Sequence, residues 1–177
     1  MIRNIQRVFV LAMFAGVVAS AQRVEIGGLI GTGAFTVSSG GAAALGQAGV
    51  EACVFCSGRL ALFGEYGHWF SGNGAGSPFA ADRVKTADLA GAGLRIQSQS
   101  RMRLFFDVGF VGGRDEHGTG RGGGIGGVVV GTGLRIPWGE HWYVRPQFRA
   151  YGLSPHTLEG VDAHWAVSGG VGVGYRF

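Results

Sequence analysis

The 177-residue sequence predicts an all-β fold, an eight-stranded antiparallel up-and-down transmembrane β-barrel made of four repeated hairpins. Three observations predict it. The segment 170–177 alternates Val171, Val173, Tyr175 and Phe177 with Gly170, Gly172, Gly174 and Arg176, a strand apolar on one face and nearly bare on the other. The run Gly91-Ala92-Gly93-Leu94-Arg95-Ile96 returns forty positions later as Gly131-Thr132-Gly133-Leu134-Arg135-Ile136, with a looser copy at 170–177 and a degenerate one at 49–55. Mean hydropathy is +0.24, yet beyond Ala21 no apolar run approaches the roughly 20 residues of a membrane-spanning helix. Strands that show lipid every second residue reconcile the last two facts.

The elements follow in order. Arg3 and Arg7 precede an apolar core at 8–18 and the small residues Ala19-Ser20-Ala21, the layout of a cleaved signal peptide over 1–21 that leaves a barrel domain over 22–177. An uncleaved anchor suits the sequence less, because the apolar stretch is short and a cleavage site follows it directly. Strands are expected near 23–37, 48–56, 59–70, 86–98, 101–112, 125–136, 141–152 and 162–177. Short connections fall around Ser57-Gly58, Gln99-Ser100 and 137–140, whereas longer Gly-rich ones span 38–47, 71–85, 113–124 and 153–161. A propeller blade also repeats at about forty residues, but it holds four short strands where each unit here reads as two long ones.

Composition narrows the class. Gly is 36 of 177 residues, which argues against a helical bundle because each interior Gly costs a helix roughly 1 kcal/mol. Removing Arg3 and Arg7 brings the formal charge from +4 to near +2, too mild to imply nucleic acid. All but one of the basic residues are arginine, whose planar fork stays charged when buried.

The pleat assigns faces. Leu60, Leu62 and Tyr66 point outward with Met102, Leu104, Phe106, Val108 and Phe110, and so do Trp142, Val144 and Phe148. A lumen charge cluster of Glu51, Arg59, Glu65, Arg95, Arg103, Asp107, Arg135, Arg145, Arg149 and Arg176 is expected inside, seven arginines to three carboxylates. Eight strands leave a lumen filled by side chains, so this set reads first as an ion-pair plug and second as a narrow anion-preferring pore. Trp138, Trp142, Tyr175 and Phe177 form a membrane-interface girdle at one end, with Phe70 and Trp165 for the other. Trp69 falls inward and Asp88 outward in this register, which predicts a bulge or a misplaced strand end there. Cys53 and Cys56, on opposite faces of a strand, read as packing residues, with a disulfide open only if the turn bends them together.

On these residues the chain resembles the small eight-stranded outer-membrane barrels, such as the outer membrane protein A transmembrane domain and the outer membrane protein X group. Tyr175 and Phe177 are similar to the terminal signal that such proteins present to the barrel-assembly machinery. The resemblance implies Sec export, the cell outer membrane, outer-membrane lipids as surroundings, a monomer without cofactor or metal, and a structural or surface role without enzymatic activity. The segment 65–73 faintly resembles the His-Ser-Asn segment of the lipid A deacylase barrels, but His68 and Ser71 are three apart on opposite faces. Asp115-Glu116-His117 reads as solvated loop charge rather than a metal site. The G-x-G-x-x-G matches at 118–123 and 122–127 lack a βαβ context.

Overall fold

The computed structural model describes residues 24–37, 42–70, 84–117, 122–156 and 163–177; the expected signal peptide lies outside them. Eight strands run in chain order: β1 (Glu25–Val37), β2 (Ala42–Val54), β3 (Leu60–Phe70), β4 (Val84–Gln97), β5 (Arg103–His117), β6 (Gly122–Trp138), β7 (Trp142–His156) and β8 (Ala163–Arg176). Each pairs antiparallel with the next, and β8 closes on β1.

Register fixes the shape. A walk along paired residues from Glu25 passes Cys53, Phe63, Gly93, Gly109, Val129, Tyr151 and Ala166 and returns to β1 at Phe35, ten residues on. Eight strands with that stagger tilt by about 40°, so each residue climbs about 2.5 Å along the barrel axis. Along β3 the outward apolar residues run from Leu60 to Phe70, a band of about 25 Å, the height of a membrane's apolar belt. Leu60 and both termini of the barrel lie at its lower end, and Phe70 lies at its upper end.

The strands reach further up than expected. β2 begins at Ala42 rather than near 48, and β5, β6 and β7 extend to 117, from 122 and to 156. These ends are rich in Gly and Ala, which carry little alternation of hydropathy, yet the backbone ladder needs no side chain to continue. The expected bulge at Trp69 and Asp88 does not form. Trp69↔Ala87 and His68↔Asp88 sit in an unbroken ladder, and the β4–β5 register shifts only between Val84 and Thr86. Trp69 therefore points inward by the ordinary pleat and is fully buried.

Two layers fill the lumen. The upper half is apolar, with Phe35, Leu45, Trp69, Leu89, Val111, Ile125, Val129, Tyr151 and Leu153 in one cluster. Trp69 packs edge-on against Phe35 at 4.8 Å and Tyr151 at 5.7 Å between ring centroids. Large rings fit because facing positions are bare: a Cβ on Gly33 would stand 2.7 Å from the Trp69 ring, and one on Gly133 would stand 2.5 Å from Phe105.

The last contact yields a prediction. Gly133→Val should lower stability by about 1–3 kcal/mol through overpacking, while Gly169→Val, with nothing within 4 Å of its Cβ, should not. Urea unfolding of the two variants in lipid vesicles, followed by tryptophan fluorescence, checks the difference.

Candidate functional site: the charged lumen and the outer wall

Below the apolar layer three arginines meet three carboxylates. Arg95 grips Asp107 with two parallel bonds, Nε to Oδ1 at 2.7 Å and Nη2 to Oδ2 at 2.8 Å, and holds Glu51 at 2.8 Å. Arg149 donates to Glu51 at 2.6 Å, to Asp107 at 3.1 Å and to Glu65; Arg145 donates to Glu51. All but Glu65 are buried, and Glu65 is nearly so. The six formal charges cancel, which is what lets guanidinium groups sit in a site almost without water. Aromatic faces complete the coordination: Arg95 lies 4.2 Å from the Phe105 centroid, and Arg149 lies 5.1 Å from that of Phe63.

The alternation of strands explains the convergence. Glu51 on β2, Glu65 on β3, Arg95 on β4, Asp107 on β5, and Arg145 and Arg149 on β7 all occupy inward positions of the pleat. Between this network and Trp69 a cavity of about 10 Å³ touches Gln47, Glu51, Glu65 and Tyr151, a size that admits about one water molecule.

A second, lower group holds Glu25, Arg135, Arg176 and Arg103. Glu25 lies 2.5 Å from Arg135 and 3.8 Å from Arg176, and Arg135 stacks 4.6 Å from the Tyr143 centroid. Arg103 is half-buried and donates to the Cys56 carbonyl at 2.6 Å. Below it opens a basin of about 530 Å³ lined by Arg101, Arg103, Glu140 and Arg176 among others.

The expected charge list needs two changes. Arg59 is not a lumen residue: the turn after β2 runs through it, its side chain is exposed, and its carbonyl receives the Gln97 N–H at 2.8 Å. Glu25, missed in the sequence, belongs inside with the buried Gln47, Gln97 and Gln147. The parity of Ile26 and Ile30, both outward, was the signal that could have found it. With Arg59 out and Glu25 in, the excess of arginine that suggested an anion pore shrinks.

Cys53 and Cys56 form a disulfide, contrary to their reading as packing residues. Phe55, at φ 60°, turns the chain back on itself and brings the two Cα atoms to 6.0 Å. Asp115 and Glu116 lie in β5 rather than in a loop and take opposite faces, Asp115 buried and accepting from the Gly123 N–H at 3.0 Å.

On the outside, Trp138, Trp142 and Phe177 are exposed at the lower end, and Tyr175 links them with ring centroids 5.1 Å from both Trp142 and Phe177. Phe70 and Trp165 are exposed at the upper end. Between those levels, among the described residues, a group of polar side chains joined to one another interrupts the apolar wall. Asp88 Oδ1 accepts from the Tyr66 hydroxyl at 2.6 Å and lies 2.8 Å from His68 Nδ1. Ser71 and Asn73 of the resembling deacylase segment lie outside the described residues.

A closed, eight-stranded, all-antiparallel barrel with a charged, filled lumen and aromatic bands is the architecture of the small outer-membrane β-barrels. Solved structures of that class are similar to it. Neisserial surface protein A superposes with a TM-score of 0.67 at 14% identity, covering 87% of this chain and 97% of its own. The attachment invasion locus protein Ail of Yersinia pestis gives 0.60 at 11% identity, covering 88% and 98%. The N-terminal β-barrel domain of Pseudomonas aeruginosa OprF gives 0.58 at 14% identity, covering 89% and 98%. No family model matches the sequence, and no curated protein matches it significantly.

The charged core generates a prediction. Glu51→Leu leaves Arg95, Arg145 and Arg149 facing one another with one carboxylate fewer, and should destabilise the barrel by about 3–5 kcal/mol. Thermal unfolding in detergent, read by the loss of the compact electrophoretic form, measures the loss.

Proposed function

We propose that the protein is an integral barrel of the cell outer membrane, exported by the Sec route and inserted by the barrel-assembly machinery, with a structural or surface-exposed role and no enzymatic activity. The observation that carries this reading is the filled lumen. The ion-pair network and the Trp69 layer stand in series across the bore, so a solute would have to break buried charge pairs and displace close-packed rings. A narrow anion-preferring pore would need the unpaired positive charge that Glu51, Glu65 and Asp107 cancel.

The names of the similar proteins, a surface protein and an attachment protein, agree with a role exercised at the cell surface. The reading that the assembly machinery engages Tyr175 and Phe177 is supported by their place at the end of the last strand, with Phe177 exposed. A monomer is the expected state, a reading supported by closure on β1, which leaves no strand edge to pair with a second copy.

Lipid modification is the second reading, favoured by one observation. Asp88 orients the His68 ring as an acid residue orients a general base, on the wall that acyl chains would touch. A hydrolase would also need a hydroxyl nucleophile and an oxyanion site beside it, and the described residues place no serine next to His68.

Two measurements test these readings. In planar bilayers the purified barrel should show no stepwise conductance, and a steady anion current would reverse the assignment of a closed lumen. Mass spectra of outer-membrane lipids should be identical in cells making the protein, its His68→Ala variant or neither; an acyl chain lost only when His68 is present would establish an enzyme.

A further inference from the structure

The outer wall of β4 carries a slot. Going down the strand, Asp88 is followed on the lipid-facing side by Ala90 and Ala92, both exposed. The ladder sets Ala90 between Tyr66 on β3 and Gly112 on β5, and Ala92 between Gly64 and Phe110. Tyr66 and the exposed Phe110 thus stand as walls on either side of a floor made of small residues. The glycines are not demanded by packing. A Cβ on Gly112 would come no closer than 3.7 Å to any atom, and one on Gly64 no closer than 3.9 Å.

The Tyr66, His68 and Asp88 group closes the upper end of this slot. His68 lies two residues below Phe70 on the same strand, about 5 Å lower along the axis, so the group sits inside the apolar belt where a polar side chain is costly. Both of its internal hydrogen bonds end on Asp88 Oδ1. That leaves Oδ2 to accept and the second ring nitrogen of His68 to face the surroundings. One strand further round and about 3 Å higher, Arg114 pairs across the ladder from Asp88 with its side chain exposed. Thr86 and Glu116, bonded to each other at 3.4 Å, bound the group above.

Resting on the outer-membrane reading above, with the upper rim turned to the cell exterior, we propose that this slot seats one glycolipid of the outer leaflet, a phosphorylated glucosamine carrying amide-linked, hydroxylated acyl chains. An acyl chain would lie over Ala90 and Ala92, its amide N–H or hydroxyl would donate to Asp88, and the phosphate above would meet Arg114. The chemistry separates this lipid from a glycerophospholipid. At the depth of Asp88 a diacylglycerol offers ester carbonyls, which accept and do not donate, so Oδ2 would gain no donor from it.

The test uses the folded barrel in detergent micelles, with lipid A, dephosphorylated lipid A or phosphatidylethanolamine added, and retained lipid counted by native mass spectrometry. Wild type should retain lipid A at least tenfold better than phosphatidylethanolamine and lose part of that preference without phosphate. Asp88→Leu and Ala90→Leu, the second of which fills the floor, should each abolish the preference. Gly169→Leu, on the lipid-facing wall of β8, should keep it. Heat-dependent electrophoretic mobility establishes that each variant is folded. Equal retention of the three lipids, or a preference that survives both slot variants, overturns the proposal while leaving the barrel reading intact. A chain that never enters lipid vesicles would overturn both.

Discussion

A sheet placed in hydrocarbon has to close, because every unpaired backbone N–H or C=O at an edge would face a medium with no hydrogen bonds to offer. Closing with eight strands staggered by ten residues fixes the bore at the width of opposed side chains. Everything inside then becomes a packing problem. Outward positions are free to be apolar of almost any size, while inward ones must interdigitate, which is why Trp69, Phe105 and Tyr143 each lie against a facing glycine, Gly33, Gly133 or Gly174.

The bore solves that problem in two ways at two heights. In the lower half arginine and carboxylate groups satisfy one another across strands, so that Glu51 of β2 is held by residues of β4 and β7. Such cross-bore pairs tie together strands that share no ladder. In the upper half rings and aliphatic side chains replace most of the charges, and the transition is made by Phe63 and Tyr151, which touch both layers or lie between them. The arrangement gives a barrel whose interior is neutral where it is dry and whose excess positive charge sits at the lower, open end with Arg101, Arg103 and Arg176.

Much of this was legible in the sequence, for a physical reason. β7 alternates Tyr143, Arg145, Gln147 and Arg149 with apolar or small residues, so its inward face could be read directly. β2 could not be bounded the same way, since Ala42 to Gly46 look alike on both faces. Glu25 escaped notice because it stands alone at the start of a glycine-rich strand. Arg59 was misplaced because parity was carried one residue too far into a turn. Asp88 looked like an error of register because a carboxylate on the outer wall breaks the rule that located everything else, and its partners come from β3, twenty residues away. The disulfide was hidden by assuming an extended strand through Phe55, where the backbone instead takes φ 60°.

The upward extension of β5, β6 and β7 has a consequence for recognition. Beyond the level of Phe70 these strands still hold one another through paired residues such as Asp115 with Gly123 and Gly124 with His156. Among the described residues β5, β6 and β7 therefore form a collar of sheet at the upper rim. A partner that grips such a collar meets a surface whose backbone is already fixed, and so does not incur the roughly 1–2 kcal/mol per residue of ordering entropy that a flexible loop demands.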